Sequence, residues 1–258
     1  MGSLVHIGLN LPLFGLVLCR GLGIVVAAPI FSNATIPVRV KAAVTLLIGM
    51  VLFPIAVQCR GELPTHAFGY LPLMLTEAGM GLIMGLSGAM VIAGLQAAGG
   101  LMAQQIGLRL AQTVSPENDG DSSAISVFLG ILGLLLFLSV DGHHWFIQAL
   151  ALSYRQVPLG EVAWGPPAAA SVLDGFSNLM VTAVRVAAPL VGIMFLVSVM
   201  IALLAKCVPE MNILMVGYPV KVFIGLVALT LTLPLILPVM RDAFHTLYGQ
   251  LTQLAHWI

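Results

Sequence analysis

The densest run of chemically capable side chains is Asp141-Gly142-His143-His144-Trp145. A carboxylate and two imidazoles are donors that transition metals accept. Neighbouring histidines on a helix point about 100° apart, however, and a closed site needs further ligands. The other four histidines, His6, His66, His245 and His256, are scattered. The run therefore reads as a helix break at Asp141-Gly142 carrying interfacial His and Trp, with no metal expected. Three charges stand inside apolar stretches: Arg20, Glu77 and Arg185. A lone charge in hydrocarbon costs at least about 2.5–3.5 kcal/mol, so each is expected to be buried against a partner or a water-filled space. Three readings are open. The charges form an ion pair that locks helices together, with Glu77 and Arg185 one candidate pair; they mark a proton or ion pathway; or their segments are not embedded in lipid. The chain contains no GxxxxGK[ST], HExxH or GxSxG signature, and no carboxylates stand at a spacing suited to acid–base work. Catalytic residues and cofactors are therefore not expected, and no residue pattern supports an enzyme.

The elements that must position these groups are unusually apolar. Of 258 residues, 60% are hydrophobic and 8% charged, with ten basic side chains against ten acidic ones. The mean hydropathy is +1.08. A soluble domain carries about 25% charged residues, so a water-soluble globule is excluded, as is an ordinary disordered chain. The balanced charge offers nothing to nucleic acid. Three isolated cysteines cannot form a disulfide framework. Six apolar stretches, 4–30, 42–57, 71–103, 124–152, 179–205 and 213–239, approach or exceed the roughly 20 residues that span a bilayer as a helix. None alternates with period two, which argues against a β-barrel. The first stretch lacks a basic leader and a cleavage site, and is expected to be mature structure. The fold class expected is all-α, of integral-membrane type, with about six long apolar helices. Prolines at 12, 29, 54, 72, 189, 219, 234 and 238 are expected to kink or end them. The third stretch is glycine-dense. Gly81 and Gly85 make a small-xxx-small pair that lets helix backbones approach, either within the chain or against another subunit. With six spans, Arg39, Lys41, Arg109 and Lys206 fall on one side and Arg60, Arg155 and Arg241 on the other. That is no orientation signal, and it suggests that partner subunits set the arrangement.

One interruption, 107–123, separates two strongly apolar helices. Pro116, Asn118 and Gly120 are turn formers, Glu117, Asp119 and Asp121 make it acidic, and Asp121, Ser122 and Ser123 are suitable N-caps for the next helix. It is longer than an antiparallel helix pair needs. It reads as a solvated connection or as a gate.

Three stretches then carry a family likeness: APIFSNATIPVRVKAAVTLLIGMVLFP (28–54), Gly107-Leu108 through GLLLFLSVDGHHWFI (133–147), and VPEMNILMVGYPVKV (208–222). In order and spacing they resemble the FliR family of flagellar export proteins, whose injectisome relatives are called SctT. The resemblance covers nearly the whole chain. It implies a single export-gate domain with a FliP-like part (1–175) and a FliQ-like hairpin (176–258). It also implies assembly with FliP-like and FliQ-like subunits, with FlhB attached and FlhA nearby, in the bacterial inner membrane at the flagellar basal body, with much of the bulk raised toward the periplasm. Unfolded export substrates and membrane lipids are the further partners, and nucleic acid is not one. By the same resemblance, the pore plug would comprise Ile106, Gly107, Arg109, Val114, Ser115, Pro116, Glu117, Asn118, Asp119, Gly120 and Asp121. Subunit packing would fall to the turn at Pro29, Phe31, Pro37, Arg39 and Lys41 and to the hairpin turn at Pro209, Asn212, Gly217, Pro219 and Lys221; Gly81 and Gly85 are candidates for it by their spacing alone. A narrow apolar constriction resists ions by dewetting, and a polar loop can fill it until substrate displaces the loop. An injectisome export-gate subunit and a small-solute secondary transporter stay open as alternatives. The transporter would show an inverted repeat between the chain halves, and none is visible.

Overall fold

The computed structural model describes residues 11–32, 36–59, 69–108, 123–162, 165–207 and 213–257. Seven helices run through them: α1 (Leu11–Ala27), α2 (Val38–Gln58), α3 (Tyr70–Ile106), α4 (Ala124–Ser139), α5 (Gly142–Gln156), α6 (Pro166–Cys207) and α7 (Ile213–Trp257). The protein is all-α, with no strand among the described residues. Among the described residues, each of the six apolar stretches is largely helical. The fourth is divided: α4 and α5 meet at a bend of 64°. The break falls where Asp141 takes a left-handed φ of 56° and Gly142 packs so tightly on the Phe137 ring that a Cβ would overlap it. Among the described residues, four helices are long and apolar enough to cross a membrane, or five if the bent pair is one span, while α1 is a shorter apolar helix of 17 residues. This is a membrane protein. Pro54, Pro189, Pro219, Pro234 and Pro238 all lie inside helices.

Two compact units divide the chain. The first comprises residues up to Val91, Phe137–Ser177 and Phe244 onward. Its α1 packs on α2 and on the first half of α3. Phe137, Phe146 and Phe244 form an aromatic knot with centroids 5.5–6.0 Å from Phe137. Trp145 stacks on Tyr248 at 5.3 Å. The second unit comprises Ile92–Leu136 and Asn178–Ala243. There the end of α3 runs antiparallel to α4. A Cβ on Gly99 would come within 2.5 Å of Ser126 Cα, one on Gly130 within 2.7 Å of Gln96, and Gly133 sits against Leu95. Side-chain-free surfaces let these two backbones meet as small residues do in membrane helix pairs.

Candidate functional site

A stripe of small residues builds the buried centre of the first unit. Glu77, Gly81 and Gly85 stand four apart on one face of α3, and this face meets α1. A Cβ on Gly81 would overlap the Arg20 carbonyl, one on Gly23 would overlap the Ala78 carbonyl, and one on Gly85 would lie 2.7 Å from Ala27 Cβ. The Gly81–Gly85 spacing is thus spent inside the chain. This corrects the expectation that these two glycines pack against another subunit.

The close approach places Arg20 beside Glu77, one turn from Gly81. Both side chains are fully buried, and Arg20 Nε donates to Glu77 Oε2 at 2.5 Å. The remaining guanidinium donors reach the end of α5. Nη1 donates to Ser153 Oγ at 3.2 Å and to the Val157 carbonyl at 3.3 Å, and Nη2 donates to the same carbonyl at 3.4 Å. A cation at a helix C-terminus meets the negative end of the macrodipole and satisfies orphan carbonyls. The other Glu77 oxygen accepts the Gly160 N–H at 3.0 Å. Gly160 has φ +91°, a conformation glycine adopts without a Cβ penalty. Tyr154 stacks under the guanidinium at 4.7 Å and donates to the Val17 carbonyl at 3.1 Å. One ion pair thereby ties α1, α3 and the end of α5 together, with its charges hydrogen-bonded as burial requires. The candidate pair Glu77–Arg185 does not form. Arg185 is exposed on α6, and no carboxylate pairs with it among the described residues. The expectation of a buried Arg185 is corrected accordingly. Sequence reasoning missed Ser153, Tyr154, Val157 and Gly160 as partners; the only hint was the helix-stopping Pro158-Leu159-Gly160.

The polar segment between α3 and α4 is anchored at the ends that are described. Ile106 is fully buried and fits against Gly225 of α7. Gly107 ends α3 with φ +96°, its N–H donating to the Ala103 and Gln104 carbonyls at 3.1 and 3.2 Å. This is the usual glycine stop of a helix. Tyr218 Oη donates to the Gly107 carbonyl at 3.2 Å. At the far side Ser123 caps α4, its Oγ accepting the Ser126 N–H at 3.2 Å. Arg109, Val114, Ser115, Pro116, Glu117, Asn118, Asp119, Gly120 and Asp121 lie outside the described residues, as do Pro209 and Asn212. Gly217, Pro219 and Lys221 are within α7 and not in a turn.

Pro29 and Phe31 line a partly open apolar pocket of about 270 Å³ whose walls include residues of α1, α2 and α5. Pro37 precedes α2, its carbonyl accepting the Val40 N–H at 2.9 Å. Arg39 is exposed and Lys41 half-buried. Asp141, His143 and His144 gather at the α4–α5 break. Asp141 Oδ1 is 3.6 Å from His144 Nδ1 and 4.0 Å from His143 Nε2. Their donor atoms lie within 4.8 Å of one another on a largely exposed corner.

The sequence profile described as "Bacterial export proteins, family 1" matches residues 11–247. The chain belongs to this family. Similar proteins are the flagellar biosynthetic protein FliR of Pectobacterium carotovorum, 28% identical over 92% of this chain and 91% of the relative; that of Escherichia coli K12, 25% identical over 92% and 90%; and that of Bacillus subtilis 168, 27% identical over 90% and 90%. In this export-family protein the match spans both the Arg20–Glu77 lock and the Tyr218–Gly107 anchor.

Proposed function

We propose that the protein is a core subunit of the flagellar protein export gate. It joins FliP-like and FliQ-like subunits to form the pore through which unfolded flagellar proteins leave, with FlhB attached and FlhA nearby, at the basal body in the inner membrane. The observation that carries this reading is the family match over residues 11–247, joined to relatives that are named flagellar biosynthetic proteins. Residues 1–175 would serve as the FliP-like part and 176–258 as the FliQ-like hairpin. The segment 107–123 serves as the plug. Two features support that role. Both of its ends are held, by Tyr218 and by the Ser123 cap, and the helices it joins already touch backbone to backbone at Gly99 and Ser126. Closing the chain there needs only a few residues, so the extra length is free for another task. Pro29, Phe31, Pro37, Arg39, Lys41, Pro209, Asn212, Gly217, Pro219 and Lys221 are assigned to subunit packing. Deleting residues 114–120 in the native host tests the plug: ion leak rises and growth slows. An intact barrier with normal export would remove the segment from gating.

A further inference from the structure

We infer that Glu77 holds α1 in the apolar layer: α1 is not a self-sufficient membrane segment, and α3 admits it by supplying the counter-charge to Arg20. This rests on the protein's membrane character and not on the export-gate reading. Among residues 1–38, the one Lys, Arg, Asp or Glu is Arg20. It is the tenth of the 17 residues of α1, and a long cationic side chain reaches the interface only from near a helix end. Among the described residues α1 is a shorter apolar helix, whereas α3, with 37 residues, is long and apolar enough to cross. At 1.5 Å per residue, α1 rises about 26 Å, short of the roughly 30 Å hydrocarbon core. The middle of an apolar helix is where lipid opposes a charge most.

The groups that remove this penalty all come later in the chain. The Arg20 guanidinium meets Glu77, Ser153 and the Val157 carbonyl, with Tyr154 under its plane. Of these, Glu77 alone carries a charge. Water is not required as a substitute, because both charged side chains are fully buried and all three guanidinium nitrogens have acceptors. The other helices around Arg20 cannot stand in for Glu77. The charged side chains of α2, which packs on α1, are Arg39 and Lys41, and α5 contributes Arg155; neither helix contains a carboxylate. The rest of the α1–α3 contact is steric. Gly23 meets the Ala78 carbonyl, Gly81 the Arg20 carbonyl and Gly85 the Ala27 methyl. Such small-residue faces bring helices close but offer an arginine no counter-charge.

Cys19, the neighbour of Arg20 in α1 and half-buried, serves as the reporter. A maleimide reacts with the thiolate, which forms in water and not in hydrocarbon. The full chain, with Cys59 and Cys207 changed to serine, is made in its own host, and its membranes are opened so that a water-soluble maleimide reaches both faces. Labelling is read on pulse-labelled protein, so a variant that does not persist is still counted. In the parent, Cys19 should stay unlabelled until the protein is denatured in detergent. Glu77→Ala should raise labelling several-fold, because the stranded guanidinium draws α1 toward water. Arg20→Met/Glu77→Ala loses the same pair but strands no charge, and should return Cys19 to parental protection. A parent that labels freely would place α1 in water from the outset and overturn the inference. So would Glu77→Ala with Cys19 still protected. A double variant labelled as strongly as the single would also overturn it, by assigning the exposure to lost packing and not to the charge.

Discussion

Replacing Glu77 with alanine strands the Arg20 guanidinium inside the protein. Arg20 and Glu77 are fully buried. Arg20 would keep Ser153 and the Val157 carbonyl but lose its only counter-charge among the described residues, and the Gly160 N–H would lose its acceptor. Removing one partner of a buried pair costs about 3–5 kcal/mol, and an orphaned buried N–H costs about 1–3 kcal/mol. The terms share one site and do not add fully, so we expect roughly 4 kcal/mol, nearly a thousandfold in the folded-to-unfolded ratio. Glu77→Gln keeps an acceptor for both donors and should cost less. The double variant Arg20→Met/Glu77→Gln removes the charges together and should recover most of the loss, since apolar replacement of a buried pair is often neutral. Unfolding of the purified protein in mixed micelles, titrated with dodecyl sulfate, gives the three values. A Glu77→Ala protein as stable as the parent, or a double variant no better than the single, would refute the claim that this pair acts as a structural lock. Export that is lost in Glu77→Gln at parental stability would move Glu77 to the proton-pathway reading.

Gly81→Ala should destabilise by more than about 2 kcal/mol, because its Cβ overlaps the Arg20 backbone and a helix backbone cannot yield as a side chain does; the same titration reads it. Tyr218→Phe should cost about 0.5–1.5 kcal/mol, the net worth of one hydrogen bond, and should speed amide exchange at Gly107 and its neighbours. Gly107→Ala should cost more, since φ +96° penalises a Cβ that would also sit 3.2 Å from the Tyr218 ring. Ser123→Ala removes the α4 cap and should cost about 1 kcal/mol. Asp141→Gly should be nearly neutral or stabilising, because it relieves a left-handed φ of 56°, and thermal unfolding checks the sign.

The helices were legible because apolar runs of membrane length leave little choice of secondary structure. The break at Asp141-Gly142 was legible too, since aspartate and glycine are the residues that leave the right-handed region most easily. Partnerships were harder to read. The Gly81–Gly85 spacing announced a close helix contact but not with which helix; only the structure shows α1 there, with Gly23 and Ala27 opposite. Arg20 and Glu77 were recognisable as charges in need of company, yet 57 positions separate them, and spacing along a chain carries no such information. Arg185 looked equivalent to them in sequence, and its helix turns it outward instead. Tyr218 and Gly107 join across 111 positions, and nothing local marks a tyrosine as an anchor.

The central claim is that this chain works as one subunit of a polypeptide conduit. The most direct measurement is a mild-detergent purification of the chromosomally tagged protein from its own host, with subunits counted by native mass spectrometry. The account predicts recovery with FliP-like and FliQ-like proteins in a fixed ratio. A homogeneous single chain, carrying lipid and no companion subunits, would contradict it.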